Sequence, residues 1–251
     1  MPINLSIFLL DKDISTPLYY QLKQLLLKLI KSGALIMGEQ IPSEVELAQM
    51  LKISRSTVRQ AVSELVAEGY LRRQKAKGTF VTKPKVDEDF FQILESFNIE
   101  MEKKGLKPFT RVLMLQRISG IKDINTRLGL DVSSLLLYLC RLRYVDEEPI
   151  VYLETYLPFE RFADLLEEDF TEKSLYGEIE LRYGTRIVRA ERQIEAAAAS
   201  TQEAGLLEVK RGSPVCLVKT VAYACDNVPV EYSVARYRGD RNKFSIEVIR
   251  K

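Results

Sequence analysis

Two serines eleven residues apart, Ser43 and Ser54, do most to restrict what this chain can fold into. Ser43 precedes Glu46 by three positions, the spacing at which a serine side chain caps a free helix N–H and a glutamate reaches back to the cap's own N–H. Leu47, Ala48 and Leu51 supply the apolar stripe of the helix that follows, and Lys52-Ile53 form the turn after it. Ser54 then caps a further helix running to Glu68, with Val58, Val62, Leu65 and Val66 facing inward and Gly69 placed to end it in a left-handed conformation. Two helices so closely joined cannot bury their stripes against each other alone. A third comes from upstream, over about 17–30, where Leu18, Leu22, Leu25, Leu26 and Leu29 recur at helical spacing. Two β-prone runs, Tyr70 to Arg73 and Thr79 to Val81, flank a turn and complete a winged helix-turn-helix outline.

The N-terminal domain is assigned to residues 1–83 and a second domain, with its linker, to 84–251; Pro84 to Glu88 form the joint. Charge divides the same way. Residues 1–83 carry 12 basic and 7 acidic side chains, and the remainder 25 and 28, so nucleic acid is expected to meet the front. From about Thr110 the texture is that of strands, with hairpin turns at Asp146 to Pro149 and Cys225 to Pro229 and helices near Ile124 to Leu130, Ser174 to Tyr183 and Thr201 to Leu207. The strands are expected over 111–118, 135–145, 150–157, 187–196, 215–224, 230–237 and 244–249. The fold class is therefore α+β, with the C-terminal sheet antiparallel.

Histidine is absent, which removes imidazole bases and histidine-containing metal sites. Cys140, Cys216 and Cys225 fit no metal or redox spacing. No catalytic residue, metal or cofactor is expected. No apolar run approaches the ~20 residues of a bilayer span, and Met1 to Leu10 lacks the basic start and cleavage site of a secretory signal, so the reading is a cytoplasmic chain.

With Val58, Val62 and Leu65 inward, Arg55 and Arg59 share the outward face of the third helix with Ser56 and Gln60. Guanidiniums there suit guanine O6 and N7 in a major groove, unless they pair with Glu64 or Glu68 instead. The hydroxyls of Ser54, Ser56 and Thr57 suit phosphate contacts or capping, and Arg72, Arg73, Lys75 and Lys77 make a basic wing turning at Gly78. One such helix reads only a few base pairs, so a homodimer on palindromic double-stranded DNA is expected.

These residues carry a resemblance. Pro42 to Ala48, Ser54 to Ala61, Glu68 to Leu71 and Gly78 to Val81, with Thr16 to Gln21 upstream, closely resemble the GntR-family DNA-binding domain over about 14–82. The resemblance implies a ligand-controlled transcription regulator, most often a repressor. Two positions depart from it: Val45, where the family often has an arginine on DNA, and Ala76, where its wing tip often has glycine.

The back half, about 88–249, resembles the UTRA effector domain of the HutC subfamily, similar in fold to chorismate lyase. The residues that carry this are Leu94 to Phe97, Arg141 to Arg143, Pro149, Glu154, Leu157-Pro158, Ser174 to Tyr176, Glu231 and Tyr237 to Arg241. Arg141 and Arg143 alternate on a strand and point to one face, where they need an anionic partner: a ligand, or internal acids such as Glu154 and Glu231. The resemblance implies that Ser96, Arg141, Arg143 and Ser174 hold the anionic end of a small effector, a sugar phosphate or another phosphate or carboxylate metabolite. It implies Glu154, Glu231 and Tyr237 for the effector's hydroxyl or amino groups. An enzyme acting on an anion is the alternative reading of this half, and the DNA-reading front weighs against it.

Overall fold

A computed structural model describes residues 10–88 and 97–246. The chain divides into two compact units, Met1–Lys85 and Val86–Lys251.

In the first unit, α1 (Leu18–Lys31), α2 (Glu44–Leu51) and α3 (Arg55–Ala67) precede the hairpin of β1 (Leu71–Gln74) and β2 (Gly78–Val81). The capping box at Ser43 is formed as the sequence predicts: Glu46 N donates to Ser43 Oγ at 3.2 Å, and Ser43 N donates to the Glu46 carboxylate at 2.7 Å. Hydrogen bonding from the Ser43 side chain first, and from its backbone N–H second, holds the Glu46 carboxyl below its ordinary pKa. Gly69 ends α3 at φ +81°, a region that glycine enters without penalty. Leu22, Leu26, Leu47, Val58, Val62 and Leu65 pack into one apolar cluster, which fixes the exposed face of α3 by exclusion. At the wing tip Ala76 adopts φ +61°, a left-handed conformation that an alanine enters at a cost of about 1–2 kcal/mol.

The second unit is built on a six-stranded antiparallel sheet. Its strands are β4 (Pro108–Ile118), β5 (Leu136–Val145), β6 (Glu148–Pro158), β7 (Ile187–Ala198), β8 (Pro214–Ala224) and β9 (Pro229–Arg238). Their order is β4-β5-β6-β9-β8-β7, so β9 enters between β6 and β8. Short helices cover the sheet: α5 (Lys122–Arg127) and α8 (Thr201–Leu206) belong to apolar clusters on one face. On the other, α4 (Phe97–Lys103) and α7 (Leu175–Tyr183) contribute walls to a cavity.

Of the strand expected over 244–249, Phe244 closes β10 (Asn242–Phe244), 245 and 246 lie in no strand, and 247–249 lie outside the described residues. β10 pairs in parallel with β3 (Val86–Glu88), a partner only three residues long. No described helix is long and apolar enough to cross a membrane.

Candidate functional sites

On the first unit, Arg55 and Arg59 project from the exposed side of α3 into a shallow cleft shared with Glu44, Val45, Ser56, Gln60 and Ser63. Neither arginine is held by an acid among the described residues. Glu64 and Glu68, the acids that could have neutralised them, accept instead from Lys23 Nζ of α1, at 2.9 and 2.6 Å. Both bonds push the Lys23 ammonium above its ordinary pKa.

Ser54 caps α3, accepting from Thr57 N at 3.1 Å, and its hydroxyl is bonded to those of Ser56 and Thr57 at 2.8 and 2.7 Å. Lys75 and Lys77 stand exposed on the wing. Gly78 has a structural reason to be glycine: at φ +119°, a Cβ would lie 2.4 Å from the Gln40 amide nitrogen. That amide fastens the wing by donating to Lys77 O at 3.0 Å. Arg73 leaves the expected basic wing. It pairs with Glu44 at 2.7 Å and donates to Ser63 at 3.0 Å, tying β1 to α2 and α3.

On the second unit one face of the sheet floors a cavity of about 410 Å³, within the range of small-molecule sites. Residues facing each other across an antiparallel ladder share a side of the sheet. The register therefore brings Arg143, Val151 and Tyr237 onto one row, and Arg141, Leu153, Ala235 and Val218 onto the next. A third row holds Thr155, Ser233, Thr220 and Arg192.

Arg141 is almost wholly buried and makes one long hydrogen bond, to Thr155 Oγ1 at 3.4 Å; its Nε has no partner. Burial first, and the adjacent Arg143 second, push its guanidinium down to about 9. Arg143 lies over the Phe97 ring at 4.8 Å, and its Nε is likewise buried without a partner. Among the described residues neither arginine forms an ion pair.

Ser174 caps α7 by accepting from Gly177 N at 3.3 Å, so the helix start (Lys173, Ser174, Leu175, Tyr176) forms part of the cavity wall. Glu231 is buried opposite, accepting from the Tyr176 hydroxyl. The wall brings together two cationic donors, a helix N-terminus and a carboxylate hydrogen-bonded by a phenol. Such a cavity can hold an anion that also carries a donor.

Ser96 lies outside the described residues. Arg141, Arg143, Ser174, Glu231 and Tyr237 line the cavity together, and Glu154 does not. Glu154 sits opposite Cys140 and Val234, on the reverse face. There it accepts from the Tyr138 hydroxyl at 2.8 Å and pairs with Arg236.

The cause is a β-bulge. The β5–β6 turn, with Asp146 and Glu147 at positive φ, pairs Val145 with Glu148 and Tyr144 with Pro149, but Arg143 pairs with Val151. Ile150 is the extra residue. A one-residue shift turns every later side chain to the other face; without it Glu154 would stand beside the arginines. Glu154→Gln is therefore expected to leave ligand affinity within about twofold while destabilising the fold by about 1–3 kcal/mol through the lost charged hydrogen bonds. Urea unfolding beside ligand titration measures both.

Sequence reasoning missed Arg192, Thr220, Ser233 and Thr110, which share the cavity wall. Alternation along β4, β7, β8 and β9 would have found them only with the strand order in hand.

A winged helix-turn-helix with free arginines on its third helix, carried with a ligand-sized cavity in a second domain, defines an effector-responsive DNA-binding regulator. Residues 18–81 match the model of the bacterial regulatory proteins of the gntR family, and residues 103–243 match the UTRA domain. The HTH-type transcriptional repressor NagR of Bacillus subtilis (strain 168) is 37% identical over 94% of this chain and 96% of its own length. A probable fructoselysine utilization operon transcriptional repressor of Escherichia coli (strain K12) is 31% identical over 92% and 94%. The crystal structure of PhnF from Mycobacterium smegmatis superposes with a TM-score of 0.74 at 29% identity, covering 93% of this chain and 99% of PhnF. The chain belongs to the GntR family, with the winged helix-turn-helix and UTRA architecture of its HutC subfamily, and is a transcription regulator rather than an enzyme.

Proposed function

We propose that this chain is a homodimeric repressor that holds a palindromic operator and releases it when a small anionic metabolite, a sugar phosphate foremost, enters the UTRA cavity. The observation that carries the reading is the pair Arg141, buried, and Arg143, half-buried with its Nε shielded, which share one face and have no ion-pair partner among the described residues. Buried charges are kept when a partner neutralises them, and here the partner is the ligand. Arg141, Arg143 and the capped start of α7 at Ser174 take its anionic end, with Ser96 added by resemblance. Glu231 and Tyr237 take a hydroxyl or amino group. Relatives named as repressors of sugar systems, such as the mannosyl-D-glycerate transport/metabolism system repressor MngR of Escherichia coli (strain K12), support a sugar-derived ligand. On the DNA side, Arg55 and Arg59 read bases, while Lys75 and Lys77 hold the backbone beside the Ser54, Ser56 and Thr57 hydroxyls.

The test titrates operator binding by the full-length protein against a panel of sugar phosphates, each beside its unphosphorylated sugar. Selective release by a phosphorylated member is expected, with a coupling of about 1–3 kcal/mol, and operator DNA must weaken that ligand's binding by the same factor. Equal responses to phosphorylated and neutral sugars would overturn the anionic assignment.

A further inference from the structure

The cleft on the first unit has one feature that the charges do not explain. Most of its polar groups are already engaged within the protein: Glu44 by Arg73, Ser63 by Arg73, Ser56 by Ser54, and Gln60 by Glu64. Arg55 and Arg59 remain available to a ligand. Among the described residues that line the cleft, Val45 is the one apolar side chain, and it is 38% exposed. It stands in the first turn of α2, whose start is held by the Ser43–Glu46 capping box. A β-branched side chain on a helix is confined to nearly one rotamer, so its two methyls present a fixed surface.

The edges of the base pairs in a major groove are polar donors and acceptors, with one apolar exception, the C5 methyl of thymine. An apolar side chain held rigidly beside two guanidiniums therefore complements a thymine near the guanines. We infer that Val45 is a specificity-determining residue that reads the thymine methyl at one position of each operator half-site. This rests on the reading that α3 enters the major groove, and it adds to that reading which base α2 selects and by which atom.

The experiment replaces thymine by uracil, one position at a time, in the duplex this protein selects from random DNA. That exchange removes the methyl and leaves every hydrogen bond in place. For the wild-type full-length chain, one uracil position per half-site is expected to weaken binding roughly three- to tenfold, the scale of one buried methyl. Val45→Ala should bind the thymine duplex more weakly by a similar factor and lose sensitivity at that position alone. Val45→Thr, which keeps one methyl on the same branched frame, should retain most of the sensitivity. Unchanged thermal midpoints of both variants exclude a folding effect.

Uracil insensitivity of the wild type at every position, or undiminished sensitivity in Val45→Ala, would overturn the assignment. Arg55→Ala separates the two levels of the argument. If it loses guanine discrimination while the wild type ignores uracil, Val45 alone is misassigned. If guanine discrimination survives in Arg55→Ala, the groove reading fails and the Val45 inference with it.

Discussion

Arg141→Met is expected to abolish the response to an anionic ligand and, with no ligand present, to make the protein more stable. The two effects share one cause. Arg141 is buried on the cavity floor with Arg143 beside it and no acid in ion-pair contact among the described residues; the charge of Glu231 on the same wall offsets only part of the cost. The Arg141 guanidinium is pushed down to about 9, well below its ordinary value. A base whose pKa falls on folding opposes the fold in its charged form. That cost is fully present below about pH 9 and fades only as the pH climbs toward the unfolded value. Methionine keeps most of the stem's volume and removes the charge, which should gain about 1 kcal/mol, or roughly 2–4 °C in Tm for a domain of this size. An anion in the cavity stabilises the wild type by pairing with that charge. Its loss should weaken binding of a phosphorylated sugar by about 2–5 kcal/mol, at least roughly 30-fold. Thermal unfolding with and without inorganic phosphate, and then with the phosphorylated sugar, reads both effects. A variant less stable than the wild type, yet still shifted by ligand, would place the anion elsewhere.

Arg55→Ala is expected to cost about 1–3 kcal/mol on the specific operator, a loss of about 5- to 150-fold, with little change on random duplex. The guanidinium leaves the first turn of α3, where no described acid holds it. Removing it therefore breaks no internal pair, and the whole effect falls on DNA. Lys75→Ala on the wing is the contrast: it should weaken specific and random DNA alike and lower the salt slope by about one counterion. Equal losses on both DNAs for Arg55→Ala would remove it from base reading.

Much of the first unit was legible because its determinants are local. Ser43 with Glu46, Ser54, and Gly69 mark helix ends by short-range hydrogen bonds or a backbone preference, and the inward positions of α3 follow from a single period. Arg73 is the exception, since its partners Glu44 and Ser63 meet it only in the folded unit. In the second unit the strands were legible from their residues, but their neighbours were not. Arg192 joins the cavity only because β9 enters between β6 and β8, a long-range choice that no local pattern encodes. Glu154 was expected as an acid beside the arginines or, through the resemblance, as a ligand contact; one extra residue, Ile150, turns it to the reverse face. α4, described over Phe97–Lys103, was not read as a helix from the sequence.

The make-up of the cavity wall has a consequence for acidity. Histidine, the side chain whose ordinary pKa falls between pH 5 and 8, occurs nowhere in the chain, and no cysteine lines the cavity. A phosphomonoester loses its second proton near pH 6, whereas a carboxylate metabolite is fully ionised well below that. Between pH 5 and 7.5 the ligand's own oxygen is a group expected to change charge in the complex, and titrating Glu231→Gln beside the wild type takes the buried carboxyl of the wall out of the comparison. Affinity that climbs through pH 6 would mark a phosphate in the cavity, and a flat profile would mark a carboxylate, so the regulator reports the ionisation of what it binds.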